Sequence, residues 1–136
     1  MSTERNKASV LDLIDRVLNR HDLAALGEFT SNPAVLASTA GFLGAFPDLR
    51  ADVRWIVAED DLVVAFVDVE GTQQGPFLYV QASTNRRVKT SFMRVYRFDA
   101  EGQIVDQWLG SNFVDMFAQL GWGVAPVGEV VPDRAP

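Results

Sequence analysis

The first third of the chain carries apolar residues at helical spacing. Between residues 10 and 18 they recur three and four positions apart, with polar residues on the opposite face. This pattern predicts an amphipathic helix that packs on a core. A short second helix is predicted over 22–27 and a third over 32–46, because Asp22 and Asn32 are good N-cap residues.

From residue 50 the apolar residues alternate with polar ones, which indicates strands. Gly102 supplies the positive φ that a hairpin loop after Asp99 requires, and a last helix is predicted over 114–120, closed by Gly121. The alternation predicts four extended segments, at 50–58, 62–71, 77–81 together with 86–98, and 103–112.

Helices followed by antiparallel strands predict an α+β fold. We expect a cone-shaped α+β barrel, with the N-terminal helices packed on a strongly curved antiparallel sheet and a pocket at its mouth. The 136 residues fit a single domain. We assign residues 1–121 to this barrel domain and residues 122–136, which hold three of the six prolines, to an irregular C-terminal tail.

The composition of the chain argues against several classes of function. The chain has no cysteine and one histidine, which argues against disulfides, thiolate zinc sites, cysteine nucleophiles and multi-histidine metal sites. A net charge of −6 disfavours nucleic acid as a partner. No apolar run approaches the ~18 residues of a membrane span, and no apolar leader is visible. We therefore predict a cytoplasmic protein without a metal, a membrane partner or a nucleic-acid partner.

Several short strings carry a resemblance to a known family, at family-like spacing and in the family's order. They are Asn19–Leu23, Ala45–Arg50, Val57–Asp61, Gly71–Phe77, Ile104–Trp108 and Gln119–Gly121. Together they resemble the SnoaL-like polyketide cyclase family, which belongs to the nuclear transport factor 2-like cone folds.

The resemblance implies a homo-oligomeric enzyme, without cofactor or metal, that holds an aromatic polyketide in the cone. Cyclase members close a ring by intramolecular aldol condensation, with an aspartate as acid/base near the end of the last strand. Asn112 stands at that position here, and Gln73 replaces the family's frequent histidine after Gly-Thr. An amide exchanges no proton near neutral pH. These departures point to the related hydroxylase branch of anthracycline biosynthesis.

The register of the last hairpin decides which side chains meet. A three-residue turn with Gly102 in a bulge places Tyr96 and Arg94 opposite Asp106 and Trp108, all on one face. Arg94 and Asp106 then form a diagonal charged pair near Asn112.

A two-residue turn would instead place Arg97 opposite Asp106 and move Arg94 to the other face, because a slip of one residue reverses the sidedness of a strand. We favour the first register, since it groups three aromatic side chains into one wall: Phe92, Tyr96 and Trp108.

On the favoured register, Asp106 is the predicted general base and Arg94 stabilises a substrate oxyanion. Asn112 orients a carbonyl or quinone oxygen by donating a hydrogen bond. Asp106→Asn is then expected to abolish turnover with the fold intact. A purely structural alternative remains open, in which Arg94 and Asp106 only brace the sheet or lie in a dimer interface.

Aromatic and amide side chains supply the predicted substrate contacts. The aromatic residues also have a packing interpretation, and Gln73, in an irregular stretch beside Gly71 and Gly75, also fits a solvated loop amide. Trp108 and Trp55 offer flat surfaces for a polycyclic ring. Phe42 and Phe46 on the third helix are expected to close the opposite wall. The full set of expected substrate contacts is Trp108, Phe92, Tyr96, Trp55, Phe42, Phe46, Gln73 and Tyr79.

These observations predict an aromatic polyketide tailoring enzyme that hydroxylates an anthracycline-type intermediate with molecular oxygen and without a cofactor. A partner reductase would supply the reduced substrate, and a homodimer would form through the outer sheet face. Two alternatives stay open: aldol cyclisation, with Asp106 as the acid/base, and a non-catalytic binding or dimerisation module, since a fold alone decides no function.

Overall fold

The computed structural model describes residues 2–123 and shows helices followed by one antiparallel sheet. Helix α1 (Thr3–Leu13) continues into a wider π-helical turn over Ile14–Asn19, and a 3-10 helix covers Leu23–Glu28. The other elements are α2 (Pro33–Ala45), β1 (Arg50–Glu59), β2 (Leu62–Thr72), β3 (Arg87–Phe98), β4 (Ile104–Ser111) and α3 (Phe113–Gln119).

The predicted caps are present at the helix starts. The carboxylate of Asp22 accepts from the Ala25 N–H, and the amide oxygen of Asn32 accepts from the Ala34 N–H. These bonds satisfy backbone donors that the first turn of a helix leaves free. The three N-terminal helical segments predicted from the sequence are therefore confirmed.

The four strands lie in the order β1-β2-β3-β4, so that β1 and β4 are the edges. Alternate residues of β2 and β3 are buried against the helices, including Val63, Val67 and Phe92. Val10 and Val17 of the N-terminal helical segment are fully buried in the same core. The predicted α+β cone, with helices on one face of a curved antiparallel sheet, is confirmed.

The first part of the third predicted extended segment needs correction. Residues 77–81 form no strand: Phe77 and Val80 make an isolated bridge, and Leu78 has a φ of +51°. These residues instead form a compact loop in which two side chains, Phe77 and Val80, are buried in the core. The predicted C-terminal tail, 122–136, lies outside the described residues from 124 onward.

The favoured register of the last hairpin is wrong. The turn is the predicted one, since Asp99 pairs with Gln103 and Gly102 has a φ of +84°. An extra residue in β4, at Val105, follows the pairing of Phe98 with Ile104, and Arg97 then lies opposite Asp106. This bulge moves every later residue of β4 to the other face.

A charged link ties the end of α2 to β2. The carboxylate of Asp48 accepts from the Thr72 N–H at 2.6 Å and from the Thr72 hydroxyl at 2.8 Å, and Arg87 lies 3.4 Å away. The backbone bond, aided by the hydroxyl and by the charge of Arg87, holds the pKa of the Asp48 carboxyl below its ordinary value.

We expect Asp48→Asn to lower stability at neutral pH and to have less effect in acid. A carboxyl whose pKa is lower in the folded chain stabilises above its unfolded pKa of about 3.9 and loses that contribution as the pH falls through the folded pKa. Urea midpoints of both proteins at about pH 6 and about pH 3 test this. A difference independent of pH would contradict it.

Candidate active site

An apolar cleft opens at the mouth of the cone, between α2, the loop over 76–78, β3, β4 and α3. Its volume is about 290 Å³. Ser38 is the one polar side chain among the described residues that line it. The apolar wall is formed chiefly by Phe42, Phe77, Leu78, Phe92, Leu109 and Phe113.

Below this cleft the side chains of the described residues pack closely. A void of only about 10 Å³ lies among Phe42, Phe46, Phe92 and Met116. The ring of Phe42 meets those of Phe92 and Phe46 edge to face, at centroid distances of 5.2 and 5.6 Å. Phe46 is therefore a core residue, while Phe42 and Phe92 reach the cleft as predicted.

Arg94 is the unusual side chain of this region, because it is only 1% exposed. Its Nη1 donates to the Tyr96 hydroxyl at 2.9 Å, and its Nε has no hydrogen-bond partner within the described part of the chain. Over residues 2–123, no carboxylate lies within 4.0 Å of the guanidinium.

The neighbours of Arg94 place it directly beside the cleft. Its guanidinium carbon lies 5.6 Å from the centre of the Phe42 ring, and its partner across the ladder is Leu109. Both neighbours line the cleft. On the β2 side Arg94 pairs with Ala65.

A buried guanidinium without an anion is costly. The effective penalty for burying one ion is several kcal/mol, and Arg94 recovers only one side-chain hydrogen bond and a contact with an aromatic face. The Nε–H is a buried donor, and in so dry an environment an anionic oxygen placed against it would be bound strongly.

Asp106 does not share this environment. It lies on the outer face of the sheet, 3.4 Å from Arg97, and its side chain is 45% exposed. The expected pairing of Arg94 with Asp106 on one wall is wrong, because the β4 bulge separates them onto opposite faces.

Both tryptophans expected against the substrate also lie on the outer face. Arg97 covers the ring of Trp108 at 5.2 Å, and Trp55 stacks on Phe66 at 5.3 Å with an interplanar angle of 9°. The bulge in β4 turns Trp108 outward, and a second bulge, between Val53 and Trp55, does the same for Trp55. Of the predicted aromatic wall, Phe92 lines the cleft, Tyr96 is fully buried and is not among the described lining residues, and Trp108 faces outward.

The two amides and Tyr79 also have positions that differ from the expected ones. The Asn112 oxygen accepts from the Asp115 N–H and so caps α3. Gln73 is fully buried rather than solvated, and its amide bonds four loop groups: Gly75 O, Ala82 O, Thr84 N and Thr84 Oγ1. Tyr79 is 80% exposed, with its ring 6.3 Å from that of Phe117.

Sequence reasoning missed four of the cleft's apolar residues: Phe77, Leu78, Leu109 and Phe113. Phe77 and Leu78 were assigned to a strand, and Leu109 faces the cleft only because of the β4 bulge. The position of Phe113 could have been predicted, because it directly follows Asn112, a good N-cap residue, and so begins the last helix.

Two further findings concern the described residues as a group. Between residues 2 and 123, no helix is both long enough and apolar enough to span a bilayer. Across the same range, histidine, aspartate and glutamate side chains form no group of three that could hold a metal ion.

The described residues form an α+β barrel with an apolar cleft at its mouth and a buried cation beside the cleft. The model of the SnoaL-like polyketide cyclase family matches residues 20–120. The protein belongs to this family.

Solved structures with the same fold carry both cyclase and hydroxylase names. AclR from Streptomyces galilaeus, described as "a putative hydroxylase", is 30% identical, with 88% of this chain and 98% of that chain covered and a TM-score of 0.74. IdmH from Streptomyces antibioticus, described as "a putative polyketide cyclase", is 25% identical, with 86% and 99% covered and a TM-score of 0.67. No curated protein matches the chain.

Proposed function

We propose that this protein hydroxylates an aromatic polyketide of the anthracycline type without a cofactor of its own. The observation that carries the proposal is the apolar cleft beside Arg94, a buried guanidinium without an anion among the described residues. In this proposal the bound substrate provides the missing anion.

The cleft suits a flat apolar ring system. Its wall is aromatic and aliphatic, and its volume of about 290 Å³ lies near the lower end for small-molecule sites. Phe42 and Phe92 offer faces and edges for stacking. An enolate or phenolate oxygen of the substrate would reach the Nε–H of Arg94 once the Phe42 ring moves aside.

The cleft wall favours hydroxylation over aldol cyclisation. Aldol chemistry needs a positioned acid and base. The described residues of the wall include no ionisable side chain. Oxidation of an electron-rich substrate needs mainly orientation, exclusion of water and anion stabilisation, which an apolar cleft beside a cation can supply.

The proposed reaction balances with a reduced substrate and oxygen. A hydroquinone form of the polyketide transfers two electrons and two protons to O₂. One oxygen atom forms the new C–OH bond, the other leaves as water, and the ring returns to the quinone. A partner reductase that draws on cellular reductant would regenerate the hydroquinone, which fits a cytoplasmic location.

The names of two relatives bear on the choice of reaction. AclR, a putative hydroxylase, shares 30% of its residues over 88% of this chain. The putative cyclase IdmH shares 25% over 86%. These values support the hydroxylase proposal and keep cyclisation as an outcome that the experiment must distinguish.

The experiment incubates the protein with a polyketide anthraquinone, with and without dithionite reduction, under isotopically labelled oxygen. We expect a product heavier by one labelled oxygen atom, only when both reductant and oxygen are supplied. An isomer or loss of water without oxygen would indicate cyclisation. Binding without conversion would indicate a non-catalytic module.

We also propose that two copies associate through the outer face of the sheet. Apolar side chains form a patch there, all exposed except the half-buried Phe66, and its rim carries charge pairs such as Arg54 with Asp68 and Arg97 with Asp106. A second copy turned by a two-fold axis can match both features. The patch consists of Trp55, Val57, Leu62, Phe66, Met93 and Trp108.

Met93→Asp tests this interface, because Met93 lies beside Phe66 in the ladder and is 44% exposed. A charge buried in an apolar interface costs several kcal/mol, so we expect the dimer to weaken at least about 100-fold. Sedimentation velocity measures the change, and Met93→Leu is the matched control. A wild-type monomer, or an unaffected variant dimer, would refute the interface.

A further inference from the structure

A second opening adjoins the cleft and has a different chemistry. It is a groove of about 360 Å³ between the N-terminal half of α2 and the edge strand β4. Ser38 and Leu109 line both the groove and the apolar cleft, so the two spaces are contiguous.

Polar groups line this groove, in contrast to the cleft. Asp106, Gln107, Ser38 and Asn32 contribute to its wall, and the described lining includes no cation. The amide of Asn32 is already used, since it donates to Val105 O and accepts from the Ala34 N–H. The side chains of Gln107 and Ser38 form no hydrogen bond with any residue in 2–123, which leaves both for a ligand.

The backbone of β4 adds further hydrogen-bonding groups. Among residues 2–123, β4 is an edge of the sheet, so its backbone amides and carbonyls that do not point to β3 have no strand partner in that range. Within the same range, Thr30 and Phe29 bond Ile104, the first residue of the strand, and Asn32 bonds Val105. The residues after Val105 therefore keep groove-side donors and acceptors that no described residue uses.

We propose that this groove binds an uncharged, hydroxyl-bearing substituent, such as a glycosyl group, of the substrate whose aromatic part lies in the cleft. This inference rests on the proposed function and adds a binding site for the part of the substrate that lies outside the cleft. Hydroxyl groups both donate and accept, so they match a carboxylate, an amide and a serine hydroxyl together. A carboxylate substituent would meet the carboxylate of Asp106, and Arg97, which pairs with Asp106, does not line the groove.

The oxidised anthraquinone emodin and its 8-O-glucoside test the subsite, with dissociation constants measured by calorimetry. No reductant is present, so no turnover interferes. Two or more added hydrogen bonds are expected to make the glucoside bind at least about fivefold more tightly than emodin. We expect Gln107→Leu to bring this ratio close to one, because leucine offers neither a donor nor an acceptor.

Gln74→Leu is the matched control. Gln74 is exposed, and its side chain lines neither opening. Its ratio should equal that of the wild type.

The outcomes separate this inference from the function on which it rests. If emodin itself fails to bind, the proposed function is wrong. If emodin binds but the glucoside gains nothing, or if the gain survives Gln107→Leu, the function stands and the subsite is refuted.

Discussion

Arg94→Met is expected to reduce turnover about 100- to 1,000-fold, the usual loss when a preorganised donor to a developing anion is removed. The same change should leave the fold at least as stable as before. Arg94 has no carboxylate within 4.0 Å among the described residues, so methionine removes an uncompensated buried charge and fills much of its volume. Loss of activity with retained or increased stability is the signature of a functional cation.

Arg94→Lys separates charge from geometry. Lysine keeps a positive charge but cannot place a donor where Nε lies, and it loses the bond from Nη1 to the Tyr96 hydroxyl. We expect partial activity, between those of wild type and Arg94→Met. Turnover is followed by mass spectrometry and stability by urea unfolding. Full activity in Arg94→Met, or a large loss of stability, would show that Arg94 only braces the sheet.

Gln73→Leu is expected to lower the free energy of unfolding by about 3 kcal/mol. Leucine matches the volume but leaves four loop groups without a partner, two of them on Thr84. Each buried group left unsatisfied costs about 1–3 kcal/mol, and partial access of water reduces the sum. The large cost follows from complete burial, since Gln73 is 0% exposed.

The effect of Gln73→Leu should extend to the cleft. The loop that Gln73 organises supplies Phe77 and Leu78 to the cleft wall, and Gly75 in this loop lies too close to Gly44 O to accept a Cβ atom. We expect faster amide exchange over 82–84 and weaker binding of emodin. Gln74→Leu, one residue away but exposed, is the control. Equal stability of both variants would contradict the assigned role of Gln73.

The helix starts and the last hairpin turn could be predicted from short stretches of sequence. The N-caps Asp22 and Asn32, Pro33 as the first residue of α2 and the positive φ at Gly102 are all encoded within a few residues, and each is present. The identity of the inner residues of β3 was equally accessible. Phe92 and Tyr96 were predicted to face the interior, and both are buried.

The site was less predictable because two bulges decide it. A bulge adds one residue without a distinctive sequence, and it reverses the face of everything beyond it. The bulge at Val105 placed Asp106 and Trp108 outside, and the one between Val53 and Trp55 turned Trp55 outward. The alternative two-residue turn gave the right partner for Asp106, Arg97, although the turn itself has three residues.

Gln73 illustrates a different limit. A glutamine between glycines in an irregular stretch suggests a solvated amide, and only the closed loop shows that Gly75, Ala82 and Thr84 surround it. Contacts that span about ten residues of loop depend on tertiary structure and not on local pattern.

The most direct test of the account is a crystal structure of the protein with a hydroxyanthraquinone bound at a pH where the ligand is a phenolate. We expect the ring to lie in the cleft between Phe42, Phe77 and Phe113, with an anionic oxygen about 2.7–3.0 Å from a guanidinium nitrogen of Arg94. A ring bound elsewhere, or an Arg94 still covered by Phe42 and without a ligand oxygen, would contradict it.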